Sequence, residues 1–177
     1  MRLSIAACLI TLVSCRNVSE NKPTFVDTKL FFEHEITILT EQKTGIEKHL
    51  NYGKKRDSLM IYDKVKWEKE LQAFTLIDLA KPSNRNTYIV DSSIYPNQIQ
   101  INYTSTENKQ TLKTVKITKD IKYNTKVIEA VLIKTNSLYQ SYTNLRYVTD
   151  SGFSIYGKQS VKLGDDSEYL INAEFIH

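Results

Sequence analysis

Residues 126–161 read KVIEAVLIKTNSLYQSYTNLRYVTDSGFSIYGKQSV. Stretches rich in Val, Ile, Leu and Tyr alternate with the short connectors TNS and TDSG. β-Branched and aromatic residues suit a pleated, half-buried surface, whereas Asn, Asp, Ser and Gly suit tight reversals. Connectors this short join antiparallel neighbours, because a parallel pair needs a crossover of a dozen or more residues. The same grammar runs from Thr87 to the C-terminus and predicts strands over 87–92, 98–105, 110–119, 126–136, 138–149, 153–161 and 168–176. The fold class is therefore α+β, with a curved antiparallel β-meander of about six to seven strands. Alternation at Ile99, Ile101 and Tyr103, and at Tyr169, Ile171, Ala173 and Phe175, marks strands with one buried face. The nearly unbroken run Val127 to Ile133 predicts a central strand covered on both faces.

Upstream, the apolar period lengthens. Leu30, His34 and Ile38, with Phe31 and Leu39 beside them and Ile46 and Leu50 further on, fit a helix over residues 28–52. Asp27 or Thr28 caps its start, Gly53 supplies a left-handed end, and Gly45 is its weak point. Asp57 or Ser58 caps a second helix carrying Met60, Trp67, Leu71 and Phe74, which Lys81-Pro82 stops. The reading is an N-terminal antiparallel helical hairpin over 28–79, packed on the meander within a single domain, 27–177.

The first residues read differently again. Arg2 precedes an apolar stretch from Leu3 to Val13, too short for a membrane-spanning helix and right for a signal-peptide core. It ends Leu12-Val13-Ser14-Cys15, which resembles the lipobox of bacterial lipoproteins. The resemblance implies that residues 1–14 are a signal peptide, that Cys15 receives a palmitate-type lipid anchor, and that residues 15–26 form a flexible tether. One acyl chain holds a protein weakly, and two or three hold it for practical purposes permanently. Cys8 leaves with the leader and Cys15 is acylated, so no thiol remains for a disulfide and stability must come from an ordinary core. The expected place is the cell envelope, at the outer membrane facing the periplasm. Surface exposure fits less well, because Arg16, Asn17 and Val18 separate the cysteine from Glu20.

At 41% hydrophobic and 25% charged, the composition is globular. A 163-residue remainder, the 177 residues less the 14 of the leader, is enough to bury about 70% of its unfolded surface in one core. Loss of Arg2 brings the formal charge from +4 to +3, mildly basic. Basic charge concentrates in residues 113–126, KTVKITKDIKYNTK, where Lys113, Lys116, Lys119, Lys122 and Lys126 face one aspartate. Such a cluster suits anionic head groups, glycan or an acidic protein, or else simply guards a solvated hairpin against edge pairing. The compartment and the lack of a recognition motif argue against nucleic acid.

Nine of the 11 tyrosines follow Thr87. They either line a partly wet binding surface or reflect β-propensity alone. If the sheet curls, Leu138, Tyr142 and Val148 share a strand parity and could line a concavity for an apolar or lipid-like ligand held between helices and sheet. The alternative is a scaffold or inhibitor-type protein contacting another envelope protein.

Catalytic motifs are missing. FFEHE lacks the second histidine that a zinc helix places four residues after His34, and Glu33 and Glu35 lie on different sides of a helix. His34 itself is expected on the apolar helix face, partly buried. No nucleophile elbow, phosphate loop or calcium loop occurs, and Asp165-Asp166 reads as a turn. The sequence thus predicts no enzyme, no cofactor and no metal site, with an enzyme assembled from scattered residues as the remaining alternative. The order FFEHE, DKVKWEKELQAFTLIDLAKP and then tyrosine-rich strands is similar to small envelope lipoproteins of the Bacteroidota. That resemblance implies no activity or site residues.

Overall fold

A computed structural model describes residues 25–177 apart from Arg85. The leader, Cys15 and most of the expected tether lie outside the described residues. Helix α1 (Thr28–Glu41) is followed by strands β1 (Gly45–Tyr52) and β2 (Lys55–Ile61). A covering segment comes next: a one-turn helix α2 (Trp67–Glu70) and two 3-10 turns, Phe74–Leu76 and Pro82–Asn84. The meander then runs through β3 (Tyr88–Tyr95), β4 (Gln98–Ser105), β5 (Leu112–Asp120), β6 (Thr125–Thr135), β7 (Tyr139–Val148), β8 (Gly152–Val161) and β9 (Ser167–Ile176). All nine strands form one antiparallel sheet in the order β2-β1-β9-β8-β7-β6-β5-β4-β3.

The seven segments expected after Thr87 are all strands, and the sheet gains two more from a region expected to be helical. The predicted helical hairpin over 28–79 is thereby corrected. Ile46 and Leu50, four apart, satisfy a helical spacing and a strand's even spacing alike, so their period cannot discriminate. Pairing decides the matter: β1 lies along the free side of β9 over eight consecutive residue pairs, Gly45↔Ile176 to Tyr52↔Tyr169, which gives its backbone partners that an isolated segment lacks. Gly53, expected to end a helix, instead occupies the first position of a two-residue hairpin turn between Tyr52 and Lys55, at φ +56°. A Cβ on Gly45 would come within 2.9 Å of the Ile61 carbonyl, so glycine there permits the close β1–β2 approach. Asp57, expected as a helix cap, lies inside β2.

Helix α1 starts where Asp27 accepts a hydrogen bond from the Leu30 amide at 2.9 Å. It buries Thr28, Phe32, Glu35 and Leu39, a stripe repeating every three to four residues. It ends in a Schellman arrangement, with Thr44 N–H donating to the Leu39 carbonyl and Lys43 N–H to that of Thr40. The covering segment buries Trp67, Leu71, Phe74, Ile77 and Leu79, while Met60 stays exposed. Thr28 ties the two parts together, its hydroxyl donating to the Ile77 carbonyl and accepting from the Leu79 amide.

Against this layer the sheet presents Ile46, Tyr103, Val115, Ile117, Ile128, Ala130, Leu145, Tyr147, Phe153, Ile155 and Ala173, all buried. The other face is mostly polar: Lys116, Glu129 and Arg146 sit side by side across β5, β6 and β7. In β6 only Ile128 and Ala130 are buried; Val127, Val131 and Ile133 are half-buried on the polar side, screened by neighbours such as Val148 and Tyr142. Expected cover on both faces of this strand is thus replaced by cross-strand packing.

Candidate functional site

The layer between helix and sheet, where a ligand would be enclosed, is filled by aromatic rings. Phe32, Phe74 and Tyr147 meet with centroids 5.3 to 5.8 Å apart, Phe153 lies 5.4 Å from Phe74, and Trp67 lies 5.2 Å from Phe175. Edge-to-face geometry predominates, which is how rings fill space without voids. Within this layer the Tyr147 hydroxyl donates to the Glu35 carboxylate at 2.5 Å. Burial holds the Glu35 carboxyl above the usual carboxylate range, against the opposing pull of the Tyr147 hydrogen bond, with Asp150 adding to the rise. Burial and the neighbouring carboxylate likewise push the Tyr147 phenol well above its ordinary value. Tyr147 is wholly inaccessible and Glu35 nearly so, and their hydrogen bond ties helix to sheet. The buried ionisable residue of α1 is therefore Glu35; His34, expected inside, is exposed. Phe32 and Leu39, seven apart, set the helix phase, and Glu35 falls between them.

The three residues nominated for a concavity do not converge. Leu138 precedes β7 in an exposed turn, at 69% exposure. Tyr142 packs on Tyr156 with centroids 6.1 Å apart, on the polar side of the sheet. Val148, at the far end of the same strand, borders an open trough of about 420 Å³ with His49, Arg146, Asn172 and Glu174.

The five lysines are largely engaged. Lys113 donates to the carbonyls of Asn108 at 2.7 Å and Glu107 at 3.3 Å. Lys116 lies 2.6 Å from Glu129, which holds Arg146 at the same distance. Partial burial raises the Glu129 carboxyl, but these two cations outweigh it and hold the group below its ordinary range. Lys126 stands 3.7 Å from Asp120. That aspartate is held low mainly by the Asn124 side chain and organises the turn by accepting from the Lys122 and Asn124 amides. Lys119 and Lys122 have no ion pair among the described residues. Two of the five lysines, Lys116 and Lys126, thus face carboxylates, and Glu129, the partner of Lys116, lies outside the lysine run in sequence.

Two further clefts open on the surface. One, of about 510 Å³, lies beneath the 3-10 turns and is bordered by Asp78, Lys81, Asn84, Lys109 and Gln110. Its wall is a fixed chain: Gln110 donates to Asn84 at 2.8 Å, Asn84 to the Asp78 carbonyl, and Tyr88 to the Leu112 carbonyl. The other, of about 440 Å³, lies at the end of α1 among Lys43, Thr44, Asp63, Lys64 and Trp67. There the Thr44 hydroxyl is buried without a hydrogen-bond partner among the described residues. The first lining is largely polar and internally bonded, and the second mixes Leu39, Val65 and Trp67 with polar groups. Among the described residues no group of three or more His, Cys, Asp or Glu is placed to hold a metal ion. Nor is any described helix long and apolar enough to cross a membrane.

Besides single exposed residues in turns, such as Ile121, Leu138 and Leu163, apolar side chains are exposed in groups at the two ends of the sheet. The β1–β2 hairpin exposes Leu50, Tyr52, Leu59 and Met60, with Tyr62 just beyond, and a hollow of about 170 Å³ lies between Leu50, Leu59 and Ile171. The β3 edge exposes Ile89, Ile94 and Tyr95. The chain matches no family model, no curated protein and no solved structure.

Proposed function

We propose that the chain acts by binding, as a scaffold or inhibitor-type lipoprotein that docks another envelope protein on its β1–β2 hairpin. In this reading Cys15 carries the lipid, residues 15–26 tether the domain to the outer membrane on its periplasmic side, and catalysis plays no part. The observation that carries it is a contrast: the helix–sheet layer is packed with aromatic rings, while Leu50, Tyr52, Leu59, Met60 and Tyr62 stand uncovered on one hairpin. Leu50, Tyr52 and Leu59 share one face of the hairpin and Met60 lies on the other, and exposed apolar side chains gathered on one element mark an interaction site. Lys54, Lys55 and Arg56 at the hairpin tip favour a partner whose apolar ridge is flanked by carboxylates. The hollow of about 170 Å³ beside Leu59 is smaller than the roughly 300 Å³ a ligand pocket usually needs, which favours a side chain of a partner over a free lipid.

The test places a photocrosslinking residue at Leu59, or at exposed Asn144 on the polar face, in the anchored protein within its own envelope. The expected result is one crosslinked protein from position 59, none from 144, and loss of that product with Leu50→Glu. A small molecule retained one per chain in native mass spectrometry, beyond the anchor itself, with no protein crosslink at position 59, would return the apolar-ligand reading to first place.

A further inference from the structure

We propose that the β3 edge is a self-association surface, joining two copies of this chain into one continuous sheet about a two-fold axis at Ser92. β3 is a terminal strand of the sheet, and one side of its backbone has no strand neighbour among the described residues. Natural sheets guard such edges with lysine, proline, a bulge or brevity. Here the eight residues YIVDSSIY carry no lysine, arginine or proline, and their pairing with β4 is unbroken from Tyr88↔Ser105 to Tyr95↔Gln98. The opposite edge, β2, carries Lys55, Arg56 and Asp57. The unguarded edge also exposes apolar side chains: Ile94 is 83% exposed, Ile89 64% and Tyr95 46%.

Geometry selects the register. Two copies paired antiparallel about an axis normal to the sheet oppose residues of the same face, so the axis passes through a residue. The Thr106 amide donates to the Thr87 carbonyl, and the alternation of antiparallel hydrogen bonding then turns Thr87 and the odd-numbered residues of β3 toward β4. Tyr88, Val90, Ser92 and Ile94 present their amides and carbonyls outward. An axis at Asp91 would set that carboxylate against its own copy in the closer, non-hydrogen-bonded type of pair, where like charges repel. Moving the axis to Ser92 removes this opposition. Val90 then faces Ile94 of the other copy, Ile89 faces Tyr95, and Asp91 faces Ser93. The ladder ends at Pro96, which has no N–H to extend it. A second copy is thus the occupant whose apolar residues and charges both match the edge. A single strand pair lies at the small end of interface sizes, so the dimer forms in a concentration-dependent way.

Sedimentation equilibrium of the full chain across a concentration series reads the prediction. Wild type shifts from monomer toward dimer, while Ile94→Lys and Ser92→Pro remain monomeric; the Ser92 N–H faces away from β4, so proline spares the fold, and an unchanged thermal transition verifies this. Leu59→Lys, on the opposite edge, still dimerises. For the register, Asp91→Cys and Ser93→Cys chains are mixed under oxidising conditions, because directly opposed non-hydrogen-bonded residues have Cα atoms about 4.5 Å apart, within disulfide reach. The mixture gives a dimer band well above the wild-type background and above either variant alone. A wild type that stays monomeric throughout, a dimer that survives both Ile94→Lys and Ser92→Pro, or a band equally strong from Asp91→Cys alone overturns the proposal.

Discussion

The Tyr147 hydroxyl donates to the Glu35 carboxylate across 112 residues of sequence, at 2.5 Å, inside the aromatic layer that joins α1 to the sheet. Burial makes the charged form of Glu35 costly, and the hydrogen bond offsets only part of that cost. A carboxyl whose folded value stands above its unfolded value near 4.5 binds a proton more tightly in the folded chain. Its contribution is therefore constant below the unfolded value, falls as pH rises through the interval up to the folded value, and is flat again above it. Asp150 and His34 face the same group with opposite effects, so the slope is read as a difference. Glu35→Gln removes the titration: the stability of wild type relative to this variant should decline as pH rises above about 4.5, measured by urea unfolding from pH 4 to 8. A pH-independent difference would rule the account out. Tyr147→Phe leaves the carboxylate without its donor and should cost about 1–3 kcal/mol near neutral pH.

Lys43 occupies the left-handed position that ends α1, at φ +53°, where glycine is the usual residue. A side chain in that conformation costs roughly 1–2 kcal/mol, part of which glycine returns as greater freedom in the unfolded chain. Lys43→Gly should therefore stabilise the domain by up to about 1 kcal/mol, seen as a higher urea midpoint with an unchanged slope.

Where the sequence was legible, one kind of signal sufficed. β3 to β9 each combine β-branched or aromatic runs with a turn, and their pairing is local, so nearest neighbours in sequence are neighbours in the sheet. α1 was legible in its cap and apolar stripe, though the phase was misjudged by one residue, exchanging His34 for Glu35. β1 and β2 were not legible because their support is remote: β1 pairs with β9, at the other end of the chain, and no window of sequence contains both. The covering segment was read correctly for its buried residues, Trp67, Leu71 and Phe74, and wrongly for its backbone, which is short turns rather than a long helix. The candidate surface was hidden for the same reason. Leu50 and Met60 fit the inside of a helical hairpin until β1 is placed beside β9.

Two glycines of β8 differ in what a side chain would meet. Gly152 has φ +150°, and a Cβ there would stand 2.0 Å from the Ala173 carbonyl oxygen, a backbone atom of the neighbouring strand. At Gly157 the obstacle is the Tyr169 ring, at 2.3 Å. A ring can rotate aside, but a paired strand cannot. Gly152→Ala should cost well over 1 kcal/mol and open the β8–β9 ladder to amide exchange, whereas Gly157→Ala should cost less and mainly displace Tyr169, visible in its ring resonances. Equal losses for the two would contradict this ordering.

Thr44 follows the left-handed residue that ends α1. Its hydroxyl is buried at the end of α1 with no hydrogen-bond partner among the described residues, although its backbone N–H completes the helix end. Leaving a buried hydroxyl unpaired costs about 1–3 kcal/mol, and valine has nearly the same shape without the polar atom. Thr44→Val should therefore raise stability by about 1 kcal/mol, whereas Thr44→Ala, which also removes a methyl group from packing beside Leu39 and Trp67, should gain less or lose. Chemical denaturation of the three proteins at one pH decides the point. If valine destabilises as alanine does, the hydroxyl is satisfied in solution by water from the adjoining cleft, and the orphan is an orphan only within the protein's own atoms.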